Sequence, residues 1–197
     1  IMMVLFFLLN AFHYQTMKET FSTVSIRIHK NGVTLREIKN AIRDEEERDS
    51  TIKTSITAYK VEEHKVVREE HMDRERSISL YRIYGKMEQV LPMKLILGNY
   101  PYREDTFGCV LDKKTAFLLF GTYDVLGKKV ILDEKEYYIR GIVEDTVPVM
   151  LCQSDEEKDV FWNLELSFPG EENGRTLAEN YLLRHALTSE YTIVEGN

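Results

Sequence analysis

The pattern of hydrophobic and polar residues changes period twice between Gly98 and Val143. The elements that it predicts are a strand, a short amphipathic helix and two further strands, over Val110 to Leu111, Thr115 to Phe120, Val130 to Leu132 and Tyr137 to Val143. Gly121 suits the left-handed residue that ends a helix, and Gly127 stands just before a strand. This pattern places no catalytic side chain.

A second pattern, Asn-Gly-x-Thr-Leu-x-Glu, occurs twice, at residues 31–37 and 173–179. In each copy Asn-Gly favours a turn, and the threonine followed three residues later by glutamate is typical of a capping box. We therefore expect Thr34 and Thr176 to be the N-caps of two helices. Each cap should stabilise its helix by about 1 kcal/mol.

Each copy of this pattern lies between segments that predict strands and helices. The predicted elements are strands at Val24 to Ile28 and Leu164 to Phe168, helices at Leu35 to Glu47 and Leu177 to Leu187, and strands at Ile52 to Tyr59 and Tyr191 to Val194. The sequence thus predicts a split, two-lobed α+β domain. Two β-α-β units form one sheet-and-helix layer over residues 23–60 plus 160–197, and a small β-rich lobe, residues 61–159, is inserted between them.

Composition and charge exclude some functions. The chain has 197 residues, of which 43% are hydrophobic and 30% charged, as in an ordinary folded protein. Its formal net charge is −7, and its only paired lysines are Lys113-Lys114 and Lys128-Lys129. Binding to nucleic acid or to an anionic membrane needs a basic face. We therefore expect neither as a partner.

The two cysteines, Cys109 and Cys152, are too few for a disulfide framework and lack CxxC spacing. Both have apolar neighbours, which favours buried thiols. A single disulfide would need an oxidising compartment, and the sequence leaves that pairing open.

Candidate chemistry is sparse. Glu62-Glu63-His64 and Glu69-Glu70-His71 repeat at a spacing of seven residues, which on a helix would place two histidines and several carboxylates on one face. Such a cluster could bind Zn²⁺, but it lacks HExxH spacing and a third ligand. The dense alternating charges of Lys60 to Arg76 favour a solvated helix or an exposed hairpin arm instead. No catalytic, cofactor-binding or metal-ligating residue is predicted, since His13, His29 and His185 are scattered and no glycine-rich phosphate loop occurs.

Several aromatic residues are most simply core or half-buried strand residues, and a contact surface for a peptide or lipid is the alternative. They are Tyr81, Tyr84, Phe161, Trp162 and Phe168.

The order of elements from Gly98 to Val143 resembles the MacB-like periplasmic core domain of FtsX-type ABC transporter permeases. The matching features are a strand, a helix ending in Phe-Gly, Leu-Gly-Lys-Lys, a strand, a short turn and a strand ending in Arg-Gly-Ile-Val. The upstream run Ile78 to Arg103 is similar to the preceding segment of the same family. The resemblance covers about Ser77 to Asp145. Glu62 to Glu75 has no counterpart in it.

This resemblance implies a non-catalytic domain outside the cell membrane, between the first and second transmembrane helices of a permease. The apolar run Ile1 to Leu9 is shorter than the about 20 residues that span a bilayer. The resemblance makes residues 1–22 the outer end of the first transmembrane helix and a stalk, whereas the run alone could be a core helix or strand.

The implied role is mechanical, carrying motion from a cytoplasmic ABC ATPase subunit to a substrate or partner outside. The implied partners are that ATPase, a second permease in a dimer, and a lipoprotein, peptide or cell-wall protein, with no cofactor. A secreted soluble binding module is the main alternative, and an enzyme with an unrecognised pocket is another. Apolar spans in the full gene would distinguish the first two.

Overall fold

The computed structural model describes residues 23–48, 52–71, 73–91, 93–144 and 146–195. The apolar run Ile1 to Leu9 and the expected stalk up to residue 22 lie outside these residues. The chain divides into two compact units. We call Ile1–Ile56 with Val160–Asn197 the split unit, and Thr57–Asp159 the inserted unit.

Among its described residues, the split unit combines short strands with two helices. Its elements are β1 (Thr23–Ile28), β2 (Val33–Thr34), α1 (Leu35–Glu47), β10 (Val160–Phe161), β11 (Asn163–Ser167), α3 (Gly174–Arg184) and β12 (Tyr191–Glu195). Strand β1 lies between β12 and β11 and is antiparallel to both. The prediction that the strands near residues 24–28 and 164–168 share one sheet is therefore confirmed.

Helix α3 packs against β1, whose apolar residues Val24, Ile26 and Ile28 are buried. Helices α1 and α3 are joined through the Glu45 carboxylate, which accepts hydrogen bonds from Arg184 and from His185 Nε2, the latter at 2.9 Å. These hydrogen bonds hold the pKa of Glu45 below its ordinary value, although burial, the largest influence, acts to raise it.

The first predicted capping box is confirmed and the second is wrong. The backbone N–H of Glu37 donates to Thr34 Oγ1 at 3.3 Å, and the Thr34 N–H donates to the Glu37 carboxylate at 2.8 Å. Helix α3 instead begins at Gly174, so Thr176 lies inside its first turn. Strand β2 pairs with β10 and holds Thr34 extended, whereas no strand holds the residues before Thr176 in the described part of the chain.

This difference predicts unequal effects for the two threonines. Thr34→Ala should lower the free energy of unfolding by about 1 kcal/mol, because an N-cap hydrogen bond is lost. Thr176→Ala should change it by less than about 0.5 kcal/mol. Urea denaturation of the two variants measures both values. Equal losses would contradict the assignment of Thr34, but not Thr176, as a capping residue.

The inserted unit is built mainly from strands. Its strands are β3 (Ser55–Glu69, from Thr57 onward), β4 (Arg74–Tyr84), β5 (Lys94–Gly98), β6 (Gly108–Asp112), β7 (Lys129–Leu132), β8 (Lys135–Glu144) and β9 (Val149–Gln153), with a 3-10 turn at Met87–Gln89 and one helix, α2 (Lys113–Phe120). The strand, helix and two strands predicted between Gly98 and Val143 are confirmed. Lys60 to Arg76 forms a β-hairpin, the second of the two structures expected for that segment.

Six strands of this unit close into a ring. Each pairs with the next in the order β3, β4, β9, β6, β8 and β7, and β7 pairs back with β3. The β4–β9 and β6–β8 pairs are parallel, and the others are antiparallel. Strand β5 pairs with the part of β8 that follows the β7 pairing, on the edge of β8 opposite β6. Because every edge in the ring is paired, the strands form a small closed barrel.

The barrel interior is apolar and includes one face of α2. Leu80, Leu111, Ile139 and Met150 from the strands form one buried cluster with Leu119 of the helix. The mixed α+β architecture matches the predicted fold class. No helix among the described residues is both long and apolar enough to cross a membrane.

The junction between β6 and α2 depends on a buried carboxylate. Asp112 is 1% exposed and accepts backbone hydrogen bonds from Thr115 at 2.8 Å and from Val149 at 2.9 Å. Asp112→Ala should therefore lower the free energy of unfolding by about 3 kcal/mol, since two buried N–H groups lose their acceptor. Asp124→Ala, an exposed change in the same unit, is the control and should have little effect.

Candidate partner-binding surface

Helix α2 and the loop after it expose apolar side chains beside lysines. Phe117 is 55% exposed, Leu118 44%, Tyr123 46% and Leu126 42%. We define the α2 surface as these four residues together with Lys113, Lys114 and Lys128.

The fold fixes which face of α2 is exposed. Asp112 caps the start of the helix, and Gly121, in the left-handed conformation with φ 77°, ends it. Leu119 is fully buried in the barrel, so neighbouring Phe117 and Leu118 lie on the outer face. A continuous apolar run on an eight-residue helix cannot bury every side chain on one face. That run is the signal in the sequence that predicts exposed apolar residues here.

The lysines of the α2 surface contact aromatic rings. Lys113 Nζ lies 5.0 Å from the centre of the Tyr123 ring, and Lys128 Nζ lies 5.2 Å from that of Phe120. Within the described ranges, Lys113, Lys114 and Lys128 form no ion pair with a carboxylate. The surface therefore combines exposed apolar area with positive charge, in a chain whose net charge is −7.

The outer face of β8 extends the exposed aromatic area. Arg140 lies 5.7 Å from the centre of the Tyr138 ring, and its Nε donates to Asp105 at 2.9 Å. Gly98 lies next to both Leu126 of the α2 surface and the Arg140 backbone carbonyl of β8. A Cβ at Gly98 would lie only 2.1 Å from that carbonyl oxygen, and its φ of 73° also favours glycine.

A network of ion pairs lies on the strands of the same barrel. Arg82 Nε donates to Glu62 at 3.1 Å, and Lys60 donates to Asp159 at 2.7 Å and lies 3.1 Å from Glu62. Arg82 also donates to the Tyr137 hydroxyl at 3.4 Å. Each charge of this network has an opposite partner, which indicates a structural role.

Electrostatics in this network shift several pKa values. Burial acts to raise the pKa of Glu62, but the Lys60 hydrogen bond and the nearby Arg82 hold it below its ordinary value. Burial likewise acts to raise the pKa of Asp159, but hydrogen bonds from Lys60 and Ser154 hold it below its ordinary value. The pKa of Lys60 is raised by its two carboxylates, against the effect of burial.

These shifts predict how stability depends on pH. A carboxyl with a lower pKa in the folded chain stabilises the fold above its unfolded pKa, and this stabilisation is lost as pH falls through the folded pKa. We therefore expect urea midpoints to fall when the pH drops below about 4, the ordinary carboxyl pKa. Glu62→Gln should make that decrease smaller. A midpoint that rises on acidification would contradict this account.

The two Glu-Glu-His segments do not form a cluster. His64 lies at a β-bulge of β3 with φ 58° and is exposed, and His71 lies in the hairpin turn. Glu63 accepts from Ser79 at 2.5 Å, and Glu70 lies 2.9 Å from Lys129 Nζ. No group of three metal-ligating side chains occurs among the described residues.

We expect Zn²⁺ to leave the stability unchanged. A structural metal present at a hundredfold excess over Kd would add about 2.7 kcal/mol. Melting curves in EDTA and in Zn²⁺ should therefore coincide. A rise in melting temperature with Zn²⁺ that disappears in the His64→Ala/His71→Ala double variant would show a site that we do not predict.

The remaining candidate residues are dispersed. Phe161, Phe168 and Tyr84 are buried, Tyr81 is half-buried, and Trp162, between β10 and β11, is 43% exposed. Cys109 and Cys152 are free, buried thiols, as their apolar neighbours predict. His29 contacts Thr192, His185 contacts Glu45, and His13 lies outside the described residues.

Known structures with a similar fold were found for this chain. The chain superposes on the periplasmic region of MacB from Actinobacillus actinomycetemcomitans with a TM-score of 0.68, 16% sequence identity and 91% of each chain covered. It also superposes on the extracellular domain of the noncanonic ABC-type transporter YknZ from Gram-positive bacteria, with a TM-score of 0.64, 15% identity, and 87% of this chain and 99% of the other covered. No family model and no curated protein matches the sequence.

The chain therefore has the fold of the extracytoplasmic domains of ABC-type transporters. The resemblance to the MacB-like periplasmic domain, predicted from the spacing of apolar and glycine residues, is confirmed at the level of the fold. Both similar structures are domains that lie outside the cytoplasmic membrane.

Proposed function

We propose that this chain is the extracytoplasmic domain of an ABC transporter permease and has no catalytic role. The observation that carries the proposal is the match over 91% of both chains to a periplasmic region of MacB. Both units take part in such a match, so it does not rest on one common motif. The domain acts outside the membrane to which the full-length protein belongs.

In this role the domain transmits motion rather than performing chemistry. ATP hydrolysis by a cytoplasmic ABC ATPase subunit moves the transmembrane helices, and the domain carries that motion to a substrate or protein partner. A closed barrel suits this task, because paired strands with a close-packed core deform little. A pair of permeases would present two such domains.

We further propose that the α2 surface is where a protein partner binds. Contiguous exposed apolar side chains mark interaction sites on soluble surfaces. Aromatic residues are enriched in the central contacts of interfaces, as Phe117 and Tyr123 would be here. These lysines, which form no ion pair with a described carboxylate, favour a partner, such as a lipoprotein, peptide or cell-wall protein, with acidic residues around an apolar patch.

Affinity purification of the full-length protein from membranes tests the general function. We expect it to be recovered from the membrane fraction in detergent together with an ABC ATPase, identified by mass spectrometry. Recovery from the culture medium or as a soluble protein without an ATPase would favour the secreted binding module. That alternative remains because a soluble module can share this fold.

Site-specific photo-crosslinking in cells tests the α2 surface. A photoreactive phenylalanine analogue at Phe117 should give a discrete adduct with a partner protein. Leu183, an apolar residue of the split unit that is 81% exposed, is the matched control position. Adducts of equal yield at both positions, or adducts only at Leu183, would contradict the assignment of this surface.

A further inference from the structure

The two cysteines are paired across neighbouring strands of the barrel. Cys109 of β6 and Cys152 of β9 are directly opposite each other in an antiparallel pair. Directly opposite residues of antiparallel strands have Cα atoms about 4.5 or 5.5 Å apart, depending on the hydrogen-bonding position. Disulfides span Cα separations of about 4.4 to 6.8 Å. Either kind of position therefore suits a disulfide.

The two side chains also lie on the same face of the sheet. Cys109 and Leu111 alternate along β6, Met150 and Cys152 alternate along β9, and all four belong to the same interior cluster of the barrel. Neither cysteine has a competing thiol, because the sequence contains no other cysteine. Both are free thiols in the structure, with none of their surface exposed.

We propose that Cys109 and Cys152 form an intramolecular disulfide that joins β6 to β9. Two S–H bonds break and one S–S bond forms. The two protons and two electrons pass to the disulfide of a thiol–disulfide oxidoreductase, which is reduced to two thiols. The reaction needs an oxidising compartment, and that part of the proposal rests on the proposed extracytoplasmic function.

Burial determines when the reaction takes place. It raises the pKa of Cys152 to about 11, and it raises the pKa of Cys109 as well. Thiol–disulfide exchange requires a thiolate and access to the sulfur. The folded barrel provides neither, so the disulfide forms while β6 and β9 are still pairing. Once formed, it is shielded from reductants by the same burial.

Refolding in a redox buffer tests the pairing without reference to location. The reduced, denatured chain is refolded with reduced and oxidised glutathione, and free thiols are then alkylated in denaturant. We expect a monomer that is lighter by two hydrogen atoms, carries no alkyl group, and melts about 10 °C above the reduced protein. The Cys109→Ala/Cys152→Ala variant should melt at one temperature with and without reductant.

Three results would overturn the pairing: two alkylated thiols after refolding, disulfide-linked dimers, or an oxidised monomer that melts below the reduced one. A second assay blocks thiols in the full-length protein at cell harvest. We expect the intramolecular disulfide there too. Free thiols in cells, combined with a disulfide in the refolded chain, would contradict the extracytoplasmic location and leave the pairing itself supported.

Discussion

Leu119→Ala is expected to lower the free energy of unfolding of the inserted unit by about 3 kcal/mol. Leu119 is fully buried, and its side chain joins α2 to the barrel interior. Truncation removes a methine and two methyl groups from a close-packed core and leaves a cavity that the strands cannot fill. Urea denaturation followed by far-ultraviolet circular dichroism measures the loss.

The neighbouring residue supplies a matched control. Leu118 has the same side chain on the same helix and is 44% exposed. Leu118→Ala should change stability by less than about 0.5 kcal/mol. In addition, it should weaken partner binding, which Leu119→Ala affects only through folding. Similar stability losses for the two variants would show that α2 is not packed as described.

Arg82→Met should produce the second large effect, a loss of about 2 to 4 kcal/mol. The Arg82 side chain is 18% exposed, its Nε lies 3.1 Å from Glu62, and it donates a hydrogen bond to the Tyr137 hydroxyl. Its removal leaves a half-buried carboxylate with Lys60 as its main remaining partner. Arg103→Met, which removes an exposed arginine paired with Glu104, is the control and should be nearly neutral.

A double variant separates loss of charge pairing from loss of packing. If Glu62 is destabilising only when Arg82 is absent, Arg82→Met/Glu62→Gln should lose less stability than the sum of the two single changes. Additive losses would mean that Arg82 acts mainly through the apolar contacts of its side chain. Chemical denaturation near neutral pH keeps the carboxylate ionised during the measurement.

Local chemistry explains which elements are predictable from the sequence. The strand, helix and strands of the Gly98 to Val143 segment follow from period changes and from Gly121, whose conformation few other residues adopt. Thr34 was predictable as an N-cap because Glu37 follows it at the spacing of a capping box. Thr176 was not, because the start of a helix also depends on whether a strand holds the preceding residues extended, as β10 does for β2.

Long-range pairing accounts for most of what the sequence did not reveal. The closure of β7 onto β3 joins segments whose sequences carry no mutual signal, so the barrel was foreseen only as a β-rich lobe. Lys60 to Arg76 alternates charges in a way that fits either a helix or a hairpin, and pairing with β4 decides between them. The direct opposition of Cys109 and Cys152 likewise depends on the register of two distant strands.

The α2 surface was only partly accessible to sequence reasoning. The run at Phe117 to Phe120 predicts a helix. Which of its side chains face outward depends on the packing of Leu119 into the barrel interior. The lysines beside it could be read from the sequence. Only the structure shows that these lysines have no carboxylate partner in the described part of the chain.

The measurement that tests the central claim most directly is the side of the membrane on which the domain lies. Tyr102, which is 84% exposed, is replaced by cysteine in the full-length protein carrying Cys109→Ala and Cys152→Ala. A membrane-impermeant maleimide is then applied to intact cells, or to spheroplasts where an outer membrane is present. We predict labelling of membrane-bound protein as complete as that after lysis. Labelling only after lysis would contradict the extracytoplasmic assignment.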